Sequence, residues 1–367
     1  MTRRRGTTGV VPLVASVVVV LALAACSGTE DRADAGTSPS TTAEATSSTT
    51  TASTSTVPAD ACDPPMATGA QAPGTYAVGR QLRTYVDVAR PTQADDSRGV
   101  PAEPERTLPV AVLYPARGTP AEPGTFAEDA PALGGDFPLV VYSHGVFSGG
   151  TERNDTLARW ASAGYVVVAP TYPRSSGSGS MVADLPNQAQ DVVFVVDTFS
   201  AQVADPGDAL HGVVATGCLA LAGHSLGGAT TMAAAFDPCC QQLDVRAVVD
   251  IAGVLLQTTP GAQLSDAPPI PTMIVHGVQD PLVGYAQGRR ALDELTGPRW
   301  LVSLVDGDHN SMFVPPESAA LDASTLALLD AELKGDPSGL EALPATLEAL
   351  RSSGVVEVTF ESARVPG

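Results

Sequence analysis

The stretch Cys218-Leu-Ala-Leu-Ala-Gly-His-Ser-Leu-Gly-Gly-Ala-Thr-Thr-Met-Ala-Ala-Ala235 decides how the whole chain is read. Leu219 to Ala222 is a short apolar run suited to a buried strand, and Ala229 to Ala235 reads as helix. Between them, Gly223-His-Ser-Leu-Gly227 matches the G-x-S-x-G turn in the strand–turn–helix context that its chemistry requires. A serine at the tip of so sharp a turn takes a strained backbone, and side chains at 223 and 227 would strike the adjoining strand and helix. The helix behind Ser225 offers unpaired N–H groups and a positive dipole end to a developing oxyanion. The plainer alternative is a glycine-rich strand–helix junction that merely contains a serine.

Outward from this stretch, strand and helix patterns alternate. Thr75 to Val88 and Thr107 to Tyr114 are β-rich and fit a hairpin around a long polar loop. Leu139–Ser143, Tyr165–Ala169, Ala247–Ile251, Thr272–His276 and Trp300–Val305 read as further strands. Helical stretches run over Glu152–Ala163, Asp184–Val203 and Ala286–Leu295. Such alternation implies βαβ units, so the expected fold is α/β: a mostly parallel, doubly wound, eight-stranded sheet with helices on both faces. No internal repeat and no second domain boundary is found within it.

In an open α/β sheet the reactive groups gather beyond the carboxyl ends of the strands. Ser225 follows one strand, Asp280 follows Thr272 to Gly277, and His309 follows Trp300 to Val305. Ser143-His-Gly-Val-Phe147 follows a fourth. The order Ser, Asp, His, each at a strand end, is that of a hydrolytic triad. A serine hydroxyl attacks only when a neighbouring base takes its proton, the part expected of His309. Asp280 would then hold one tautomer of the imidazole and stabilise the imidazolium. Asp250, near the end of Ala247–Ile251, competes for the acid role, whereas Asp306 and Asp308 stand too close to His309 in sequence. Of the remaining histidines, His211 reads as a solvated loop residue. His144, His224 and His276 lie beside glycines at strand ends and read as structural hydrogen-bonding groups.

These residues carry a resemblance. Leu108-Pro-Val-Ala-Val-Leu-Tyr-Pro115, Ser143-His-Gly145, Gly164-Tyr-Val-Val-Val-Ala-Pro170, Asp191-Val-Val-Phe-Val-Val-Asp197, Gly223-His-Ser-Leu-Gly-Gly228, His276-Gly-Val-Gln-Asp280 and Asp308-His309 appear together and in order. From about Thr75 onward the chain resembles the α/β-hydrolase superfamily. Within it the chain is similar to lidless esterases: dienelactone-hydrolase-like proteins, platelet-activating-factor acetylhydrolases, chlorophyllases and bacterial, cutinase-like polyester hydrolases. The resemblance implies a serine carboxylic-ester hydrolase working through an acyl-enzyme. It also implies an oxyanion hole made by the backbone amides of Val146 and Leu226. Cofactors and metals are not expected. An amidase or peptidase with the same triad, or an inactive hydrolase fold used for binding, are the competing readings.

The spacing from Ser225 to Asp280 and on to His309 is filled by core elements, which leaves no room for a large lid. Thr171 to Ala183 is the other possible cover, with Arg174 to Ser180 as a flexible polar loop. An open site of this kind suits short acyl esters or accessible polymer esters.

The N-terminal part reads differently. Arg3, Arg4 and Arg5 precede an apolar run from Val10 to Ala25, closed by Leu23-Ala-Ala-Cys26. This is a secretory signal pattern, and its ending resembles the bacterial lipobox, so Cys26 is expected to carry lipid. The expected organisation is a signal peptide over 1–25, a stalk over 26–62 and a catalytic domain over 63–367. Of the 20 residues from Thr37 to Thr56, 15 are Ser or Thr, a composition that cannot build a core. Extended, the stalk reaches on the order of 100 Å, enough to hold the domain away from a membrane. The net charge of −20 excludes nucleic acid as a partner and disfavours polyanionic substrates. The expected partners are an ester substrate and, through the anchor, a membrane, with the protein a monomer at the extracytoplasmic surface. Cys62, Cys218, Cys239 and Cys240 fit disulfides in an exported protein, with Cys218 bonded to one of the adjacent pair and Cys62 to the other.

Overall fold

The computed structural model describes Cys62 and residues 69–177, 182–256, 258–259, 263–354 and 356–363. The expected signal peptide, Cys26 and all of the stalk except Cys62 lie outside them. All the described residues belong to one compact unit, Thr56–Gly367.

Its frame is a ten-stranded sheet. In chain order the strands are β1 (Ala77–Asp87), β2 (Arg106–Ala116), β3 (Ala127–Glu128), β4 (Phe137–Ser143), β5 (Val166–Pro170), β6 (Val214–His224), β7 (Val245–Ile251), β8 (Thr272–Gly277), β9 (Arg299–Leu304) and β10 (Val358–Ala363). The helices are α1 (Asn154–Ser162), α2 (Leu185–Ala204), α3 (Leu226–Phe236), α4 (Ala286–Glu294), α5 (Ser318–Lys334) and α6 (Ser338–Ser352). The strands lie in the order β10-β9-β8-β7-β6-β4-β5-β2-β1-β3. The six from β9 to β5 are parallel, while β2 joins β5 and β10 joins β9 antiparallel. The eight expected strands are all present. The two further ones are β3 and β10, which are short and lie at the two edges.

Parallel strands covered on both faces lose the polar alternation of a half-wet sheet. β4, β5 and β8 accordingly bury every residue. One face carries α1, α5 and α6 against Tyr142, Val167, Ala220 and Val302. The other carries α2, α3 and α4 against Val141, Val168, Leu221 and Ile274. α5 ends at Gly335, whose left-handed backbone (φ 66°) returns its N–H to the Asp330 carbonyl.

Two buried polar clusters tie helices to this frame. Arg106, at the start of β2, is fully buried and bonds both Asp184 and Asp191 of the α2 region at 2.6–3.2 Å. On the opposite face Lys334 bonds Asp330 (2.9 Å) and the Ala163 carbonyl (2.8 Å), with Tyr165 donating to Asp330 (2.5 Å). A buried charge is tolerated only when paired in this way.

The cysteine pairing departs from the sequence expectation. Cys218 is joined to Cys62 (Cα–Cα 5.4 Å), and Cys239 is joined to its neighbour Cys240. The reason is the sheet itself. Cys218 faces the α1/α5 side, whereas Cys240 is packed on the α2/α3 side, so the sheet itself lies between them.

Candidate active site

β4 leads to β5 on one side and β6 returns to the other, so the strand order reverses between β4 and β6. Loops leaving two such strands diverge and open a crevice beyond their carboxyl ends. The turn after β6 carries Ser225, and the loop after β4 carries Gly145 and Val146.

Ser225 joins β6 to α3 with φ 59° and ψ −121°, a region that a non-glycine residue enters only under strain. Its amide is held by the Ile251 carbonyl at 2.9 Å, which fixes the turn to β7. A side chain at Gly223 would strike Gly227, and one at Gly227 would strike Ser143, so both glycines are steric necessities. The hydroxyl of Ser225 makes no hydrogen bond with the described residues.

Beside it lies the β4 loop: a methyl on Gly145 would stand 3.2 Å from Ser225 Cβ. His144 sets the direction of that peptide. Its Nδ1–H donates to the Gly145 carbonyl (2.7 Å), and its Nε2 accepts the Tyr172 N–H (3.0 Å). A trans peptide points its N–H opposite to its carbonyl, so the Val146 N–H is turned away from His144. Burial pushes His144 down to about 4, which keeps it in the neutral form that both contacts require. Leu226 opens α3, where the N–H has no partner in the helix ladder. Neither the Val146 nor the Leu226 amide donates to another described residue, and both side chains join one small apolar cluster with Leu185 and Ala229.

The acid and base come from the loops after β8 and β9, laced together by Val278 N–H to Leu304 (2.8 Å) and Gln279 N–H to Gly307 (2.9 Å). Asp280 Oδ2 accepts His309 Nδ1–H at 2.6 Å. Its other oxygen takes the N–H groups of Leu282 (2.8 Å) and Val283 (2.9 Å). Burial alone would raise this carboxyl, yet His276, His309 and the Val283 amide hold it well below the usual carboxylate range. Asp308 accepts the Asn310 and Ser311 N–H groups at 2.9 Å each, shaping the turn that presents His309. Asp250, the competing acid, is buried in β7 and makes no bond to His309.

The structure thus brings Asp280 to His309 and Val146 and Leu226 to one apolar cluster, with Gly145 against Ser225. It leaves the Ser225–His309 hydrogen bond unclosed. Contacts of this kind often tighten only with substrate bound. With His309 as base, the arrangement can activate a serine hydroxyl and stabilise an oxyanion.

The histidines read from sequence as structural hydrogen-bonding groups are so used, and Arg153 is a further feature that carried no sequence signal. His144 orients the Val146 peptide. His224 is packed against the His309 ring (centroids 4.7 Å). Arg153 bonds Asn310 (2.6 Å) and lies over the Phe313 ring at 4.1 Å. The glycines beside His144 and His224 signalled that structural role, though not which main chain each ring holds. The segment after Thr171 also differs from expectation. Arg174 and Ser175 are buried: Arg174 bonds the carbonyls of Gln93 (2.6 Å) and Pro101 (2.8 Å), and Ser175 accepts from Gln188 (2.7 Å). This part is a packed wall, and Ser178 to Ser180 lie outside the described residues.

Residues 110–275 match the family model described as Chlorophyllase. The structure is similar to that of the ferulic acid esterase from Streptomyces cinnamoneus, at 22% identity and a TM-score of 0.54, over 73% of this chain and 94% of that one. None of the curated proteins matches the chain. The match spans Val146, Ser225 and Leu226, while Asp280 and His309 lie beyond it.

Proposed function

We propose, for a chain with the α/β-hydrolase fold and an esterase-type family match, that Ser225, His309 and Asp280 form the catalytic triad of a carboxylic-ester hydrolase. The observation that carries this reading is the 2.6 Å contact between His309 Nδ1 and Asp280, beside a serine held in a strained elbow. In the proposed reaction His309 Nε2 takes the Ser225 proton as the hydroxyl attacks the ester carbonyl. The oxyanion is met by the Val146 and Leu226 amides, a donor of this kind being worth about 3–4 kcal/mol. The imidazolium then protonates the departing alcohol. A water, deprotonated by the same imidazole, releases the acid.

The substrate reading follows from the rim. Phe147 (53% exposed), Leu282 (62%) and Val314 (54%) follow closely on Val146, Asp280 and His309 in sequence. Apolar side chains left exposed beside a site favour an apolar substrate face. The net charge of −20 disfavours an anionic one. Short acyl esters or accessible polymer esters meet both conditions. For location we propose an exported lipoprotein, anchored through Cys26 and carried on the Ser/Thr-rich stalk.

A fluorophosphonate probe tests the mechanism. It should label the wild-type protein and not Ser225→Ala, which should also lose ester hydrolysis by several powers of ten. Labelling that persists in the variant moves the nucleophile elsewhere. Matched acyl ester and amide substrates, compared by kcat/KM, separate an esterase from an amidase.

A further inference from the structure

Behind Asp280 lie two buried titratable side chains that the proposed mechanism does not use. Asp250 on β7 is paired in register with Ile274 of β8, and His276 stands two residues further along β8. Period-two alternation therefore puts Asp250 and His276 on the same face as diagonal neighbours. The space for them is built in. A side chain at Gly228 of α3 would strike Asp250, and a methyl on Gly288 of α4 would stand 2.9 Å from His276 Nδ1. Both groups are at most 1% exposed. Asp250 Oδ1 and His276 Nδ1 have no hydrogen-bond partner, a costly arrangement for buried polar atoms unless the two answer each other electrostatically. On its other side His276 Nε2–H donates to the Val283 carbonyl (2.9 Å) and lies 3.6 Å from Asp280 Oδ2. That is the same oxygen that accepts from His309.

We propose that His276, supported by Asp250, is a positioning residue for the acid, an imidazolium that holds the Asp280 carboxylate and takes up part of the charge it presents to His309. The inference rests on the triad reading above. Charge balance supports it. Burial lowers the imidazole's proton affinity, but Asp280, the Val283 carbonyl and Asp250 together leave it raised above the ordinary histidine value. Burial pushes Asp250 up to about 6, with His276 and the Gly253 amide opposing, so each of the two groups favours the charged form of the other. The remaining groups around His276 are Tyr285, edge-on at 5.9 Å, and Ser303 of β9, which is bonded to the Tyr285 hydroxyl at 2.7 Å. Arg289 on α4 is engaged by Glu361. Around His309 stand Asp280, His224 and Arg153, the last paired with Glu152 at 3.3 Å.

The sign of the effect follows. A cation sharing the Asp280 oxygen weakens that carboxylate's hold on the His309 imidazolium. Removing the cation should shift the acid limb of the kcat/KM–pH profile upward by about one pH unit. His276→Asn and Asp250→Asn, each checked by circular dichroism, should both shift on a short-chain p-nitrophenyl ester while the plateau rate falls less than tenfold. A merely structural histidine would lower the plateau and leave the limb in place. Imidazole nitrogen NMR of the wild-type protein gives a reading that no variant can spoil: both His276 nitrogens should carry protons at pH 7. An acid limb unmoved in folded His276→Asn, or a neutral His276 at pH 7, overturns the proposal. Failure of the triad reading would show separately, as fluorophosphonate labelling of Ser225→Ala.

Discussion

His224 donates its Nε2 proton to the backbone carbonyl of His309 at 2.9 Å, so the residue beside the elbow serine also holds the main chain of the base. Burial and the neighbouring His309 push His224 down to about 3, which keeps the ring neutral. A neutral ring in this position adds no second cation beside the base. The elbow and the base loop are therefore registered to each other through a group that takes no part in proton transfer.

The acid assignment has a direct test. Asp280→Asn should keep the fold and lower kcat by on the order of 10⁴, because the amide no longer holds the His309 tautomer. Asp250→Asn should lower it less than about tenfold at its optimal pH, because His276 and Asp280 both stand between it and the base. The two variants are compared on one short-chain ester, and the reverse ranking would return the acid to the end of β7.

His144 predicts a pH dependence of stability. Its folded value, near 4, lies below the ordinary histidine value near 6.5, so the unfolded chain binds the proton more tightly. The stabilising contribution is complete above about pH 6.5 and is lost as pH falls toward 4, at about 1.4 kcal/mol per pH unit. His144→Leu should flatten that part of the urea-denaturation profile and lower kcat, since the Gly145 carbonyl loses its donor. An unchanged slope would detach His144 from the acid sensitivity.

Arg106→Met should destabilise the protein by about 3–5 kcal/mol at pH 7, because it strands two carboxylates in a dry interior. Chemical denaturation measures this. A loss below about 1 kcal/mol would mean that Asp184 and Asp191 find other partners.

Cys26→Ala should abolish incorporation of a fatty-acid analogue in the producing cells. Equal label in the variant and the wild type would remove the lipid anchor from the account. A chain starting after Pro58 should hydrolyse soluble esters at the full rate, since the stalk contributes reach and no chemistry.

The parts legible in the sequence were those with local signals. Leu219–Ala222 and Ala229–Ala235 sit inside β6 and α3, and the Ser, Asp and His candidates each follow a core strand. Ser318 to Ser352 carries no clear amphipathic signal, for a physical reason. α5 lies between the sheet and α6, so it buries residues on most of its circumference and shows no apolar stripe. β10 is a six-residue edge strand with exposed Glu361, too short to announce itself. The Gly and Ser around Arg174 suggest a free loop, while its acceptors, Gln93 and Pro101, lie more than 70 positions away. The Arg106 clamp likewise joins residues 78 and 85 positions apart. No window of sequence contains it.

The place of β6 within the sheet, flanked by β4 and β7 with helices on either face, governs how the protein dies on heating. Amides at the centre of such a sheet exchange with solvent through global opening alone, while edge strands and loops open at lower free energy. Leu221 and Gly223 should therefore be among the slowest protons to exchange, and Gly79 or Phe360 far faster. Thermal inactivation and thermal unfolding should then run at one rate, because the elbow has no private way to come apart.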